Sequence, residues 1–328
     1  MQLETGDFLG DLKRWHKAYM EHITALTYSN NTLELYNRAI DMFIEYSRQF
    51  QDEIKLSEIN SVYITGYIAF LEDNAKKSGK KRKNDYYLSK STKQTYLKAV
   101  KNFFTFISDN NDDLYTFERR FGKIRIADTS KMEEKLVYLN ENEIERLLNT
   151  LEREKSKKGD YNSYRNSLLI KLMLYAGLRI SEALGVRLVD FTNSEDSEIF
   201  NIKIYGKGGK EQNAYIPKAT IEEELDYFAD AAALGEDDPI MRTGGRGRLN
   251  RSNAYRIVNR VYKRAGIRKK GLHLLRHTLA MRLTQRGVNP LVVKKILRHS
   301  NIASTTIYAK ATENTVADAL KADLPAGL

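Results

Sequence analysis

The stretch from Ile199 to Pro217 constrains the fold most, because it carries the clearest β signal in a chain whose other apolar patterns have helical spacing. Ile199 to Tyr205 reads Ile-Phe-Asn-Ile-Lys-Ile-Tyr, Gly206-Lys207-Gly208-Gly209-Lys210 follows, and a second run from Asn213 to Ile216 ends at Pro217. Alternation, a glycine-rich basic tip and a second extended run predict an antiparallel hairpin.

On either side of it the apolar residues follow a helical period. Asn31-Thr32-Leu33-Glu34 has the form of a capping box, and Leu33, Tyr36, Ile40, Phe43 and Ile44 continue it. A second pattern runs through Val62, Ile64, Tyr67, Ile68 and Leu71, and a third follows Ser89 through Tyr96, Val100, Phe103, Phe104 and Ile107. Around Asp128-Thr129-Ser130-Lys131 the periodicity lapses. It resumes at a second capping box, Asn140-Glu141-Asn142-Glu143, which opens a helix with Ile144, Leu147 and Leu148. The helix carrying Leu168 to Tyr175 should end at Gly177. Beyond the hairpin, Gly266, Gly271 and Asn289-Pro290 punctuate further helices. The expected fold is mainly α with a small antiparallel β-sheet or hairpin in the C-terminal part. Residues 1–121 form a helical domain, 122–135 a linker and 136–328 an α+β domain.

Charge suggests what two such domains hold. The chain has 328 residues, enough for two cores, and a net charge of +11. That balance favours a polyanion without choosing between nucleic acid and anionic lipid. Its distribution says more: Lys76–Lys101 holds ten Lys or Arg against one Asp, and Arg242–Lys270 holds eleven with no acid. Two basic runs, one in each domain, favour a clamp that grips nucleic-acid phosphates from two sides. The expected DNA contacts are Lys80, Lys81, Arg82 and Lys93 in the first, and Arg246, Arg248, Arg251, Arg256, Arg260 and Lys263 in the second. The helix from Asn250 to Ala265, where arginines interleave with Tyr255 and Tyr262, is expected to face DNA. No stretch has the length of a membrane span, and Glu4 and Asp7 stand where a signal peptide would carry basic residues. With no cysteine, disulfides and Cys-based zinc sites are excluded.

Five residues of the second half form a chemically coherent set: Arg179, His273, Arg276, His299 and Tyr308. Two guanidiniums, two imidazoles and a phenol suit attack on a phosphodiester. The chain has five histidines, and three lie between 273 and 299. Arg179 follows a helix apolar nearly all round; an arginine there needs an anion, or a carboxylate such as Glu182 or Asp190. His273 and Arg276 share a helix face. His273 and His277 have the spacing of a zinc pair, but Leu274 stands where a zinc peptidase has its Glu, and phosphate binding by Arg276 fits the basic surroundings better. Lys207, at the glycine-hinged tip, could deliver a proton over a bound phosphate, with Lys210 as an equally placed rival.

The motifs Gly-Leu-Arg-Ile-Ser-Glu (177–182), His-Leu-Leu-Arg-His-Thr (273–278) and Leu-Arg-His-Ser (297–300) with Ile-Tyr-Ala (307–309) make the chain resemble the tyrosine recombinase, or phage integrase, family. Among its members the Xer-type recombinases are the nearest in pattern. The resemblance spans the chain and implies a helical core-binding domain followed by a catalytic domain. It implies that Tyr308 is the nucleophile and that Arg179 and Arg276 clamp the scissile phosphate. His273 and His299 would bond its oxygens, Lys207 would protonate the leaving oxygen, and Glu182 would support the site. Two departures stand out: Arg298 replaces the family's usual Gly before the second histidine, and Leu279 and Met281 replace common Phe and Thr.

The activity so implied is site-specific recombination of double-stranded DNA through a 3′-phosphotyrosyl bond and a Holliday junction. Four protomers would act on two duplexes, with no metal or other cofactor and no membrane partner; the need for an accessory protein is left open. The segment Thr312–Leu324, with Val316, Ala319, Leu320 and Leu324, reads as a short amphipathic helix that docks on a neighbouring protomer or on its own domain. Xer-like chromosome dimer resolution in the cytoplasm, at the nucleoid, is the leading role. A mobile-element integrase or transposase, a type IB topoisomerase and a non-catalytic DNA binder are the alternatives.

Overall fold

The structure, a computed structural model, describes residues 1–77, 88–117, 121–126, 137–206, 209–243 and 247–298. The chain divides into two compact units, Met1–Lys131 and Met132–Leu328. Among the described residues no helix is long and apolar enough to cross a membrane.

Among the described residues the first unit has four α-helices: α1 (Phe8–Ala25), α2 (Asn30–Ser47), α3 (Ser61–Lys77) and α4 (Lys90–Asn110). In α1, Phe8, Leu12, Trp15, Tyr19 and Ile23 recur every three or four residues and all are buried. The α2 helix packs against the other three. Trp15, Phe43, Tyr67, Phe103, Phe104 and Phe117 are fully buried there. The polar tips of two of these rings are satisfied: Trp15 Nε1 donates to Leu3 O (2.9 Å) and the Tyr67 hydroxyl to Ala39 O (2.8 Å). Two sequence expectations need correction. The α2 helix begins at Asn30 after Ser29, so the Asn31–Glu34 pattern falls inside the first turn rather than capping it. Val62, counted with the apolar face of α3, is 75% exposed. Residues 127–136, most of the expected linker, lie outside the described residues; just before them Ile124 and Ile126 pack on the first unit's core.

The second unit is built on α5 (Glu141–Lys158) and α6 (Tyr161–Tyr175). Asn140 and Glu143 form the expected reciprocal cap, Asn140 Oδ1 accepting from Glu143 N (2.8 Å) and Glu143 Oε2 from Asn140 N (2.9 Å). Every residue from Ser167 to Leu174 is buried, because α6 packs against α5, the helices that follow it and the last strand of the sheet. After the single turn α7 (Ile180–Ala183) comes an antiparallel sheet of β1 (Phe191–Asn193), β2 (Ile199–Tyr205) and β3 (Glu211–Pro217). On the expected hairpin Ile202, Ile204, Ala214 and Ile216 are all buried, with Ile202 paired to Ala214 and Ile216 to Phe200. The additional strand β1, too short to show an alternation, pairs Phe191 with Ile202. There follow α8 (Glu222–Asp226), α9 (Arg251–Arg264), α10 (His273–Gln285) and α11 (Pro290–Leu297). A separate small core of Leu279, Ala280, Met281, Val293 and Leu297 joins α10 to α11. The two unusual residues Leu279 and Met281 are therefore packing residues of that joint.

Candidate active site

Arg179 is positioned by the tight end of α6. Gly177 has φ +60°, and a Cβ there would lie 2.9 Å from Leu297 Cδ2 and 3.0 Å from Leu279 Cδ2. Only glycine meets both the backbone conformation and the close approach of α10 and α11. Three residues beyond Arg179, Glu182 folds back over the start of α7. Its Oε2 accepts from Arg179 N (2.8 Å) and its Oε1 from Arg179 Nη1 (2.7 Å). Arg179 is thus paired with Glu182, while Asp190, the other partner considered, pairs with Arg187 (2.8 Å). Glu182 is buried, whereas the Arg179 side chain stays 38% exposed.

The end of α11 completes the arrangement. Arg276, buried on α10, donates to Gly177 O and Leu297 O. Arg179 Nη2 donates to the next carbonyl, Arg298 O (2.9 Å). The two guanidiniums are therefore held by consecutive peptide carbonyls of the segment that leads into position 299. Burial alone would raise the Glu182 carboxyl, but bonds from the Arg179 backbone and side chain and the Arg298 charge outweigh it and hold it below the usual range. The Arg298 side chain is almost fully enclosed and reaches Glu182 Oε2 (3.1 Å), Gly177 O (3.1 Å) and Ile296 O (2.8 Å). Its backbone has φ +53°, a left-handed conformation that costs a non-glycine residue roughly 1–2 kcal/mol. The helix end before position 299, unsettled by the sequence, is this left-handed cap.

His273, one helical turn before Arg276, opens α10 at the protein surface. Partial enclosure by surrounding protein and the cations of Arg251, Arg276 and Arg179 push its imidazole below the usual range. The His277 ring lies 6.3 Å from the His273 ring. A cleft of about 630 Å³ runs along this edge, lined by Arg251, Tyr255, Arg256, Lys270, His273 and His277 among others. Arg251, Arg256, Arg260 and Lys263 lie on the exposed face of α9, and Arg248 is exposed just before it. Among the described residues, Arg251, Arg260 and Lys263 form no ion pair with a carboxylate. Of the two tyrosines interleaved with them, Tyr262 is buried and Tyr255, two turns earlier, is at the surface. In the first unit Lys93 bridges to Glu72 (2.8 Å), joining α4 to α3.

The structure thus brings Arg179, Glu182, His273 and Arg276 together. Lys207, His299, Tyr308, Lys80, Lys81, Arg82, Arg246 and the Thr312–Leu324 segment lie outside the described residues. What the sequence reading missed is the engagement of Arg298 with Glu182; its one signal was a large cation where a helix end calls for glycine.

The description "Phage integrase family" matches residues 137–315, and "Phage integrase SAM-like domain" matches residues 11–115. With that match covering more than half of its length, the chain belongs to the phage integrase family, the tyrosine recombinases. Similar proteins include the tyrosine recombinases XerH of Campylobacter jejuni, 30% identical over 67% of this chain and 62% of the relative, and XerH of Helicobacter pylori, 28% identical over 78% and 66%. The chain thus aligns with less than two thirds of each XerH relative. A tyrosine recombinase of Pseudothermotoga lettingae is 26% identical over 94% of this chain and 96% of its own. The fold is similar to that of an XerH site-specific recombinase bound to palindromic difH substrate in a post-cleavage complex, with a TM-score of 0.78 at 21% identity, covering 97% and 98% of the two chains. It is less similar to the Tn1549 transposon integrase bound to transposon right end DNA, with a TM-score of 0.64 at 18% identity over 94% and 98%.

Proposed function

We propose that the protein is a site-specific recombinase of double-stranded DNA with the Xer-like role of resolving chromosome dimers, working at the nucleoid. The observation that carries the reading is the pair of guanidiniums, Arg179 and Arg276, anchored to consecutive carbonyls with His273 beside them. Anchored donors stabilise a pentavalent phosphorane without reorganising when its charge develops. The role is narrowed to Xer type by the relatives, several of which carry that name.

In the proposed reaction the Tyr308 phenolic oxygen attacks a backbone phosphorus and the bond to the 5′ oxygen breaks. Tyr308 gives up its proton to one of the site imidazoles, His273 or His299, and Lys207 delivers one to the departing 5′ oxygen, which leaves as a hydroxyl. Arg179, Arg276, His273 and His299 bond the non-bridging oxygens, and Glu182 fixes Arg179. The 3′-phosphotyrosyl bond retains the energy of the broken one, so a 5′-hydroxyl from a second duplex reseals the strand without a cofactor. Two such exchanges, through a Holliday junction held by four protomers, complete recombination. The 1–121 and 136–328 domains would grip the duplex, with Arg248, Arg251, Arg256, Arg260 and Lys263 on phosphates and base edges. Lys80, Lys81, Arg82, Lys93 and Arg246 are proposed as further contacts.

Incubating the full chain with fragmented genomic DNA, trapping covalent adducts and sequencing the attached ends tests the reading. Wild type should yield adducts at one site beside the replication terminus, and Tyr308→Phe none. Adducts formed by the Phe variant would remove Tyr308 as nucleophile, and capture at the ends of a mobile element would replace the Xer role.

A further inference from the structure

Arg298 occupies a position where glycine would be relaxed, yet its side chain is almost fully enclosed and makes several polar contacts at once. We infer that Arg298 is a positioning residue that sets Arg179 for phosphate binding; this rests on the proposed role of Arg179. It acts from two sides. Its carbonyl accepts from Arg179 Nη2 (2.9 Å), and its guanidinium holds the carboxylate, Glu182, that orients Arg179 Nη1. It also ties the end of α11 to the Ala176–Gly177 turn, through Ala176 O (3.4 Å) and Gly177 O (3.1 Å), the second of which also receives Arg276.

Charge supplies the second half of the argument. One carboxylate, Glu182, serves both Arg179 and Arg298. Because Arg298 already neutralises it, the positive charge of Arg179 is less compensated than in a simple ion pair. Arg179 is also the more exposed of the two, at 38% against 6%. A glycine at 298 would relax the backbone and retain the carbonyl, but Glu182 would lose its second cation and pull harder on Arg179. A lysine would restore charge at Glu182 without spanning the two carbonyls of the turn.

The test uses the full chain and, as probe, a nicked duplex built from the DNA end captured on the wild-type protein. Single-turnover adduct formation should slow ten- to hundredfold in Arg298→Gly, with DNA affinity within about threefold of wild type and part of the rate regained in Arg298→Lys. In an Arg179→Ala background Arg298→Gly should add less than twofold, because its action passes through Arg179; a general folding defect would multiply. Wild-type rates in Arg298→Gly, or an undiminished effect in the Arg179→Ala background, would overturn the inference while leaving the recombinase reading intact. A wild-type protein that captures no DNA would remove both.

Discussion

Two buried carboxylates are tied to α6, one near its middle and one just beyond its end, and they differ in the balance of charge around them. At the first, Glu224 is fully buried and accepts from Ser167 Oγ (2.6 Å), Lys155 Nζ (2.9 Å) and Lys171 Nζ (2.7 Å). Glu152 and Glu223 join the same two lysines, so carboxylates outnumber cations. At the second, Glu182 alone serves Arg179 and Arg298, and Arg276 beside them bonds to carbonyls. Here cations outnumber carboxylates, and one of them reaches the surface. Buried charge paired across helices in this way holds them together, even though Glu224 Oε2 has no hydrogen-bond partner among the described residues. A buried network with surplus positive charge has room for an anion, and that difference distinguishes the candidate site from a structural ion pair of similar geometry.

The comparison can be broken at either end. Glu224→Ala should produce the largest stability loss, about 3–5 kcal/mol, because it strips two buried lysines of a shared partner. Urea unfolding measures it, and DNA affinity below the melting range should not move. A loss under about 1 kcal/mol would mean that Glu152 and Glu223 suffice to hold the two lysines. Arg179→Ala should do the reverse. Adduct formation should fall by about 10²–10³, the usual cost of removing one fixed donor to a developing anion. DNA affinity should change modestly, since the other phosphate contacts persist. If Arg179→Ala instead unfolds the protein, the second cluster is structural as well and the distinction fails.

What the sequence revealed of this contrast depended on how local the chemistry was. The Asn140–Glu143 cap and the helix stop at Gly177 act locally and were readable from spacing, while for Arg179 the spacing offered Glu182 and Asp190 alike. The hairpin was readable because its two runs adjoin. Arg298 was beyond reach: its partner Glu182 lies 116 residues away. The sequence can show that Arg298 is out of place for a helix end, but only packing of α11 onto the Gly177 turn reveals what it holds. The Glu224 network was hidden in the same way, with partners 53 to 69 residues apart.

The smallest expected effect concerns His273, which should report the surplus charge directly. Burial and the cations of Arg251, Arg276 and Arg179 lower its pKa, so the folded protein holds it neutral where a free imidazole would already be charging. Its contribution to stability is therefore fully present above the unfolded value near about 6.5 and is lost as pH falls through the lower folded value. A DNA phosphate placed among the same cations reverses the sign, since it neutralises them and favours the imidazolium. Binding should then take up a proton, and affinity should rise as pH falls between the depressed free value and the raised bound one. The slope cannot exceed about tenfold per pH unit for one proton, and it should vanish in His273→Gln. Parallel pH profiles for the two proteins would mean that His273 lies away from the phosphate, and that the excess of cations around Arg179 serves something other than the bound backbone.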